Sequence, residues 1–378
     1  MELTLNKAVT QVEISGIRQF TYLVRDTPGA CGLTIGEPDL NTPGAVKEAA
    51  KAALDDNDTH YPPGNGYPYL LEAISRFEAQ AHGLSYAPGE IVTTVGATEA
   101  LSAAFSAILN PGDEVIIPTP AFGLYEALVR LRGAVPVFLP TEHSRFQIVP
   151  EALAAAITPR TKAIVLTSPN NPTGCVYTHE TLEGIHHVLR DKPIFVICDD
   201  VYRALCYTDD YHSFAEYADM RDRSIVVQSF SKPYAMTGWR LGYCMADAPV
   251  MSRIQVLHQY GVTSIPSFVQ RACVTALGLP TDGVAEIFRK RRDYVYRRLR
   301  GMGLTVEEPQ GAFYMFIDIR AFGMDSVTFC TRMLKENLVG LIPGIYFGTE
   351  GFMRLSYCYS DGDLKEGLDR VERFIKSL

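Results

Sequence analysis

Residues 229–240 read "SFSKPYAMTGWR". Lys232 is followed eight positions later by Arg240, with Ser229 and Ser231 beside the lysine. On its own Lys232 would be a solvated surface lysine. It has company, however, just after other short apolar runs. "IVTTVGATEA" puts Gly96, Ala97 and Thr98 ahead of a helix, a turn of backbone N–H groups suited to a phosphate. "IIPTPAF" supplies Phe122, "VLTSPNNPTG" supplies Asn171, and "FVICDDVYRA" supplies Asp199, Asp200 and Tyr202. The set holds a primary amine, a carboxylate, a phenol, an amide, an aromatic face and phosphate donors. A lysine amine condenses with aldehydes. A carboxylate keeps a pyridine nitrogen protonated, and serine hydroxyls and a guanidinium grip a phosphate.

That inventory matches the needs of pyridoxal 5′-phosphate, and the elements that must position it are legible. Apolar runs of four to six residues ("EIVTTVG", "DEVIIPTP", "AVPVFLP", "KAIVLTSP", "IFVICDD", "SIVVQSFS", "GYCMAD") are interleaved with helical segments such as "ATEALSAAFSAIL", "FGLYEALVRLRG" and "ETLEGIHHVLRD". This alternation predicts an α/β fold with a mostly parallel sheet covered on both faces. Ligands in such sheets bind beyond the carboxyl ends of the strands, where the chemistry-bearing residues fall. The last hundred residues change character. A long helix over about 284–301 precedes strand-like "LTVEE", "AFYMFIDI" and "FMRLSYC", with helices near 327–336 and 363–378. We expect a large domain over 44–282 and a smaller α+β domain built from 1–43 and 283–378.

Composition narrows the function classes. The chain has 378 residues, 47% hydrophobic and 21% charged, with a net charge of −8. Such a balance argues against nucleic acid or an anionic membrane as the main partner. No run of apolar residues is long enough to span a bilayer. Eight scattered cysteines without a CxxC pair read as reduced thiols of a cytoplasmic protein. Eight histidines show no metal-ligand or catalytic spacing and are read as non-catalytic, and no metal is expected. "GNG" at 64–66 lacks the third glycine of a dinucleotide fingerprint.

The segments "GEPD", "NNPTG", "DDVY", "SFSKPYAMTGWRLGY" and "RLS", in this order along the whole chain, resemble the class I/II pyridoxal-phosphate-dependent aminotransferases of fold type I. The overall pattern is most similar to the bacterial aromatic and N-acetyl-L,L-diaminopimelate subgroup. The resemblance implies a seven-stranded sheet in the large domain and a role for each residue. Lys232 would bind the aldehyde and then shuttle protons, Asp199 would pair with the pyridine nitrogen, and Tyr202 and Asn171 would reach the ring hydroxyl. Phe122 would stack on the ring. Ala97, Thr98, Ser229, Ser231 and Arg240 would hold the phosphate, with Tyr61 of "HYPPGNGY" reaching the phosphate of a second subunit in a homodimer. Arg354 would fork onto the substrate α-carboxylate, beside Asn171 and Gly36. The second acid of the family's Asp-Glu-x-Tyr segment is here Asp200, which reads as structural. Ile17, Phe122 and Tyr346 are candidates for an apolar side-chain pocket, and Arg18 is the one nearby candidate for a second guanidinium. The implied reaction moves an amino group from an L-amino acid, of aromatic or diaminopimelate type, to a 2-oxo acid such as 2-oxoglutarate, with ping-pong kinetics. A carbon–sulfur β-lyase on the same scaffold would need the same Lys232 and Asp199, so the motifs leave that alternative open.

Overall fold

The computed structural model describes residues 3–378. Its centre is a seven-stranded sheet. In spatial order the strands are Ile91–Thr94, Gly242–Ala246, Ser224–Ser229, Phe195–Asp199, Thr161–Thr167, Glu114–Thr119 and Val135–Pro140. Six strands run parallel, and only Gly242–Ala246 is antiparallel to its two neighbours. The central strands are buried along their whole length, as short continuous apolar runs require when helices cover both faces. Ile116, Ile164, Val196, Val226 and Met245 belong to the core under one face, and Val115, Ile117, Val165, Ile197 and Val227 to the core under the other. The two sets alternate along each strand, which is the period-two rule of a pleated sheet.

This topology gathers the chemistry at one edge. The six parallel strands deliver their carboxyl ends there. The reversed strand begins there instead, so Arg240, two residues before it, faces the same edge as Ser229 and Asp199. Most of the helices and strands named from the sequence lie within a residue or two of their expected bounds. The helix expected from "FGLYEALVRLRG" begins at Leu124, two residues after Phe122. Helices Gly16–Arg25, Gly44–Asp55, Pro68–His82, Pro150–Ala156, Ala248–Gly261 and Ser267–Leu277 were not anticipated.

A second, antiparallel sheet is formed by Ile342–Pro343, Phe352–Ser356, Tyr314–Asp318 and Thr305–Val306. Helices Asp282–Gly301, Ser326–Asn337 and Asp361–Ser377 accompany it in sequence. The amino-terminal stretch joins this layer. Cys31–Gly32 pairs in parallel with Val339–Gly340, and Phe20, Val24 and Leu33 share a core cluster with Phe288, Phe329 and Phe374. Val24 sits so close to Gly340 that a Cβ there would lie 2.3 Å from Val24 Cγ2. The same cluster takes in Tyr202 and Leu205 of the large-sheet side, so the core is continuous beneath the chemical edge.

Candidate active site

A cavity of about 1160 Å³ opens at that edge. All but one of the residues expected to touch cofactor or substrate line it: Ile17, Gly36, Ala97, Thr98, Phe122, Asn171, Asp199, Tyr202, Ser229, Ser231, Lys232, Arg240 and Arg354. Tyr61 does not. It stands on the 58–66 loop outside the cavity, 89% exposed.

Lys232 is half-buried, and its Nζ donates to the carbonyl of Gly36 at 2.7 Å. Desolvation is the main cause that pushes its pKa down to about 8. A substantial neutral fraction of a nucleophilic amine is therefore present near neutrality. Asp199 ends its strand 4% exposed. Burial raises its carboxyl to about 6, against a lowering contribution from the Tyr125 hydroxyl, which donates to Oδ2 at 2.6 Å. The other oxygen, Oδ1, is buried with no hydrogen-bond partner. A buried carboxylate oxygen left bare is costly unless a donor is brought to it.

Tyr202 is buried with its hydroxyl 2.7 Å from that of Tyr314, and burial raises its pKa well above 10. Arg354 is buried too. Nη1 donates to Asn171 Oδ1 at 2.9 Å, Nη2 donates to the carbonyl of Thr34 at 2.5 Å, and Nε has no partner. Its guanidinium carbon lies 4.5 Å from the ring centroid of Tyr314 and 4.8 Å from that of Phe347. Two aromatic faces thus hold the cation in place while it keeps donor capacity. With Asn171 Oδ1 taken by Arg354, the amide nitrogen of Asn171 is left as a donor.

The corner expected to hold a phosphate is built by close backbone approach. Gly96 has φ +69°, and a Cβ there would lie 2.6 Å from Arg240 Nη2. Only glycine lets the guanidinium lie across this helix start. Arg240 is itself held at φ +55°, an uncommon conformation for a residue with a side chain. Its Nη2 donates to Val95 O at 3.3 Å and its Nη1 to Thr237 O at 3.1 Å. Ser229 Oγ accepts the N–H of Ser231 at 3.0 Å. The N-terminus of helix Gly96–Ile108, two serines and an arginine converge on one corner of the cavity.

These residues fit pyridoxal phosphate. The bare Asp199 Oδ1 is an acceptor where a pyridinium N–H is needed, the amine of Lys232 is within the same cavity, and the anion cradle lies at the sheet edge. Three residues of the site escaped the sequence reading. Tyr125 backs Asp199, Tyr314 joins Tyr202 to Arg354, and Phe347 packs on Arg354. Tyr125 lies three residues after Phe122, the spacing of one helical turn. Tyr314 follows directly on Phe313 in "GAFY", where it read as plain strand. Asp200 forms a separate contact, accepting from Ser213 Oγ at 2.6 Å, in keeping with a structural part.

Comparison with known proteins agrees with this geometry. The family description "Aminotransferase class I and II" matches residues 29–371. The chain is 42% identical to a protein of Bacillus subtilis (strain 168) named "Probable N-acetyl-LL-diaminopimelate aminotransferase", over 99% of this chain and 96% of that one. It is 35% identical to aromatic-amino-acid aminotransferase 2 of Thermococcus litoralis, over 99% of both. The aspartate aminotransferase of Thermus thermophilus, solved with maleate, superposes with a TM-score of 0.94 at 35% identity, covering 99% of this chain and 100% of that one. These relatives favour the transaminase reading over the β-lyase. The protein belongs to the class I and II aminotransferases, and is a pyridoxal-phosphate-dependent transaminase of fold type I.

Proposed function

We propose that the enzyme takes a long, partly apolar amino donor, of aromatic or diaminopimelate type, and passes its amino group to 2-oxoglutarate in two half-reactions at one site. The observation that carries this is the apolar and aromatic part of the cavity lining. Besides Lys232 and Arg354 the cavity is lined by Ile17, Phe122, Phe138 and Tyr346. A Cβ on Gly16 would lie 2.3 Å from the Tyr346 ring, so the chain before Ile17 is pressed flat against that aromatic wall. The two further arginines of the lining, Arg18 and Arg130, have other partners. Arg18 is exposed and donates to Tyr22 at 3.4 Å, and Arg130 is paired with Glu126 at 2.8 Å.

The residues divide the work. Arg354 and Asn171 orient the donor by its α-carboxylate, using paired N–H groups on two oxygens. Asp199 holds the proton on the pyridine nitrogen through Oδ1. When bound, pyridoxal phosphate supplies an electron sink for the pair of electrons left on the substrate Cα. Lys232 Nζ would take up and give back the proton at the substrate Cα, a part that its lowered pKa suits near neutrality. Tyr202 would donate to the ring hydroxyl, Phe122 would cover the ring, and Arg240, Ser229, Ser231 and the N–H groups of Ala97 and Thr98 would hold the phosphate.

In this reading Tyr61 serves the cofactor phosphate of a second copy, so the enzyme works as a homodimer. Its near-complete exposure in the single chain supports that role. All eight cysteines are unpaired, which fits a reducing cytoplasm. Among the described residues no helix is long and apolar enough to cross a membrane.

The test is a donor panel with 2-oxoglutarate as acceptor. Phenylalanine, tyrosine or an acylated diaminopimelate should show the highest kcat/KM. Aspartate ahead of them by tenfold or more would refute the long-donor assignment. Donor without acceptor should release one equivalent of oxo acid and stop; continuous release would contradict ping-pong transfer.

A further inference from the structure

His258 lies outside the cavity, on helix Ala248–Gly261, and is 1% exposed. Both ring nitrogens are engaged, and both partners are acceptors from distant parts of the chain. Nδ1 is 2.7 Å from Glu99 Oε1, and Nε2 is 2.8 Å from the carbonyl of Gly64. Each partner belongs to a segment that would touch a phosphate. Glu99 is in the first turn of helix Gly96–Ile108, directly after Ala97 and Thr98, and its other oxygen accepts the N–H of Val95 at the helix start. Gly64 closes the stretch that begins at Tyr61. Pro62 and Pro63 lie between the two, and their fixed φ angles carry the placement of Gly64 to Tyr61.

Just beyond Gly64 the chain is pinned to the large sheet. The carbonyl of Asn65 accepts Thr93 N–H at 3.0 Å and Thr93 Oγ1 at 3.1 Å, and Tyr67 N–H donates to Gln270 Oε1 at 2.8 Å. Gly66, at φ +118°, lies flat on Thr93, where a Cβ would come within 2.8 Å of Oγ1. The other end of the loop is held at Asp58, whose carbonyl accepts from Ser267 Oγ at 2.5 Å and whose Oδ1 accepts from the Tyr67 hydroxyl at 2.8 Å, whereas His258 joins the loop to helix Gly96–Ile108 through Glu99.

We propose that His258 is a positioning residue that ties the helix cradling one subunit's cofactor phosphate to the loop that presents Tyr61 to the other subunit's. The inference rests on the shared-site reading above and adds to it the part that holds both donors in register. It assigns His258 no contact with substrate or cofactor. A rigid bridge of this kind acts on the phosphate end of the cofactor and leaves the aldehyde end alone.

That selectivity gives the test. Apoenzyme is titrated with pyridoxal phosphate and, separately, with pyridoxal, which lacks the phosphate, following the visible absorbance of the bound cofactor. His258→Phe should weaken pyridoxal phosphate roughly tenfold, the effect of losing one good buried hydrogen bond, and pyridoxal less than twofold. His258→Gln keeps an amide donor, should fall between wild type and His258→Phe, and serves should the phenylalanine variant fold poorly. Equal losses for both ligands would mean a merely structural histidine, and unchanged phosphate affinity would likewise overturn the proposal. The loop half is tested in mixed dimers in which one subunit carries Lys232→Ala and so cannot bind covalently. His258→Phe should weaken binding from either subunit, and an effect confined to the binding subunit overturns the link to Tyr61. A chain that proves monomeric would instead defeat the shared-site reading and the loop half with it. The comparison with pyridoxal would still decide the cradle half.

Discussion

Replacing Tyr125 by phenylalanine removes one hydroxyl from behind Asp199 and should change the carboxylate more than the packing. The hydroxyl is buried, 2.6 Å from Asp199 Oδ2 and 2.8 Å from Thr167 Oγ1. A hydrogen bond to a charged group is worth about 1.5–3 kcal/mol, and one pKa unit is about 1.36 kcal/mol. Losing it should lift the Asp199 carboxyl, already raised by burial to about 6, by roughly one to two units. The sign follows from linkage. A carboxyl whose folded pKa is raised leaves stability intact below its unfolded value near 3.9, and stability is lost as pH climbs to the folded value. Wild-type apoenzyme completes that loss by about pH 6, and the variant continues to lose stability up to about pH 7–8. The two should therefore differ little at pH 5 and by about 1.5–3 kcal/mol at pH 9. Chemical denaturation of both apoenzymes across this range reads the difference. Cofactor affinity at pH 7 should fall about tenfold and recover by pH 9, as the variant carboxyl ionises. A pH-independent stability loss, or an unchanged affinity at pH 7, would refute the role given to Tyr125.

Arg354→Lys keeps the charge but loses the planar fork and the stacking on Tyr314 and Phe347, so KM for every amino donor should rise by roughly 10–100-fold with a smaller change in kcat. Steady-state kinetics on two donors of different side chain checks that the loss is common to both. Gly36→Ala would place a Cβ 1.8 Å from the Tyr314 hydroxyl. It should push Tyr314 away from Tyr202 and lower kcat/KM by about tenfold or more, and Gly36→Ala with Tyr314→Phe should recover part of that loss. Capture of pyridoxal phosphate by apoenzyme should quicken with pH through about 8 and then level off, because the neutral form of Lys232 attacks. A stopped-flow rate still climbing steeply at pH 10 would mean that the amine is not desolvated.

Much of the fold was legible because each buried strand is a short apolar run that ends on a residue with no business in a core. Asp199 after "FVIC" and Ser229 after "IVVQ" are examples, and the sheet turns these sequence neighbours into neighbours in space. Helix Ala248–Gly261 was missed for a physical reason. Its buried stripe is Met251, Ile254 and His258, so a histidine occupies the apolar position that would have completed the pattern. The Cys31–Gly32 pairing with Val339–Gly340 is two residues long and joins opposite ends of the chain, which no local periodicity can signal. Tyr125 and Tyr314 were invisible for a related reason. A tyrosine inside an apolar segment looks like filler until the fold shows which buried oxygen its hydroxyl meets. Arg354 was singled out through the family resemblance, but its partners, Asn171 and two aromatic rings, became visible only in the fold.

The most direct measurement is to reduce the cofactor-loaded enzyme with borohydride and map the modified peptide by mass spectrometry. The pyridoxyl group should sit on Lys232 alone, at one per chain, and Lys232→Ala should carry none. A label on another lysine, or an undiminished label in Lys232→Ala, would contradict the assignment of Lys232 as the residue that carries the amine chemistry.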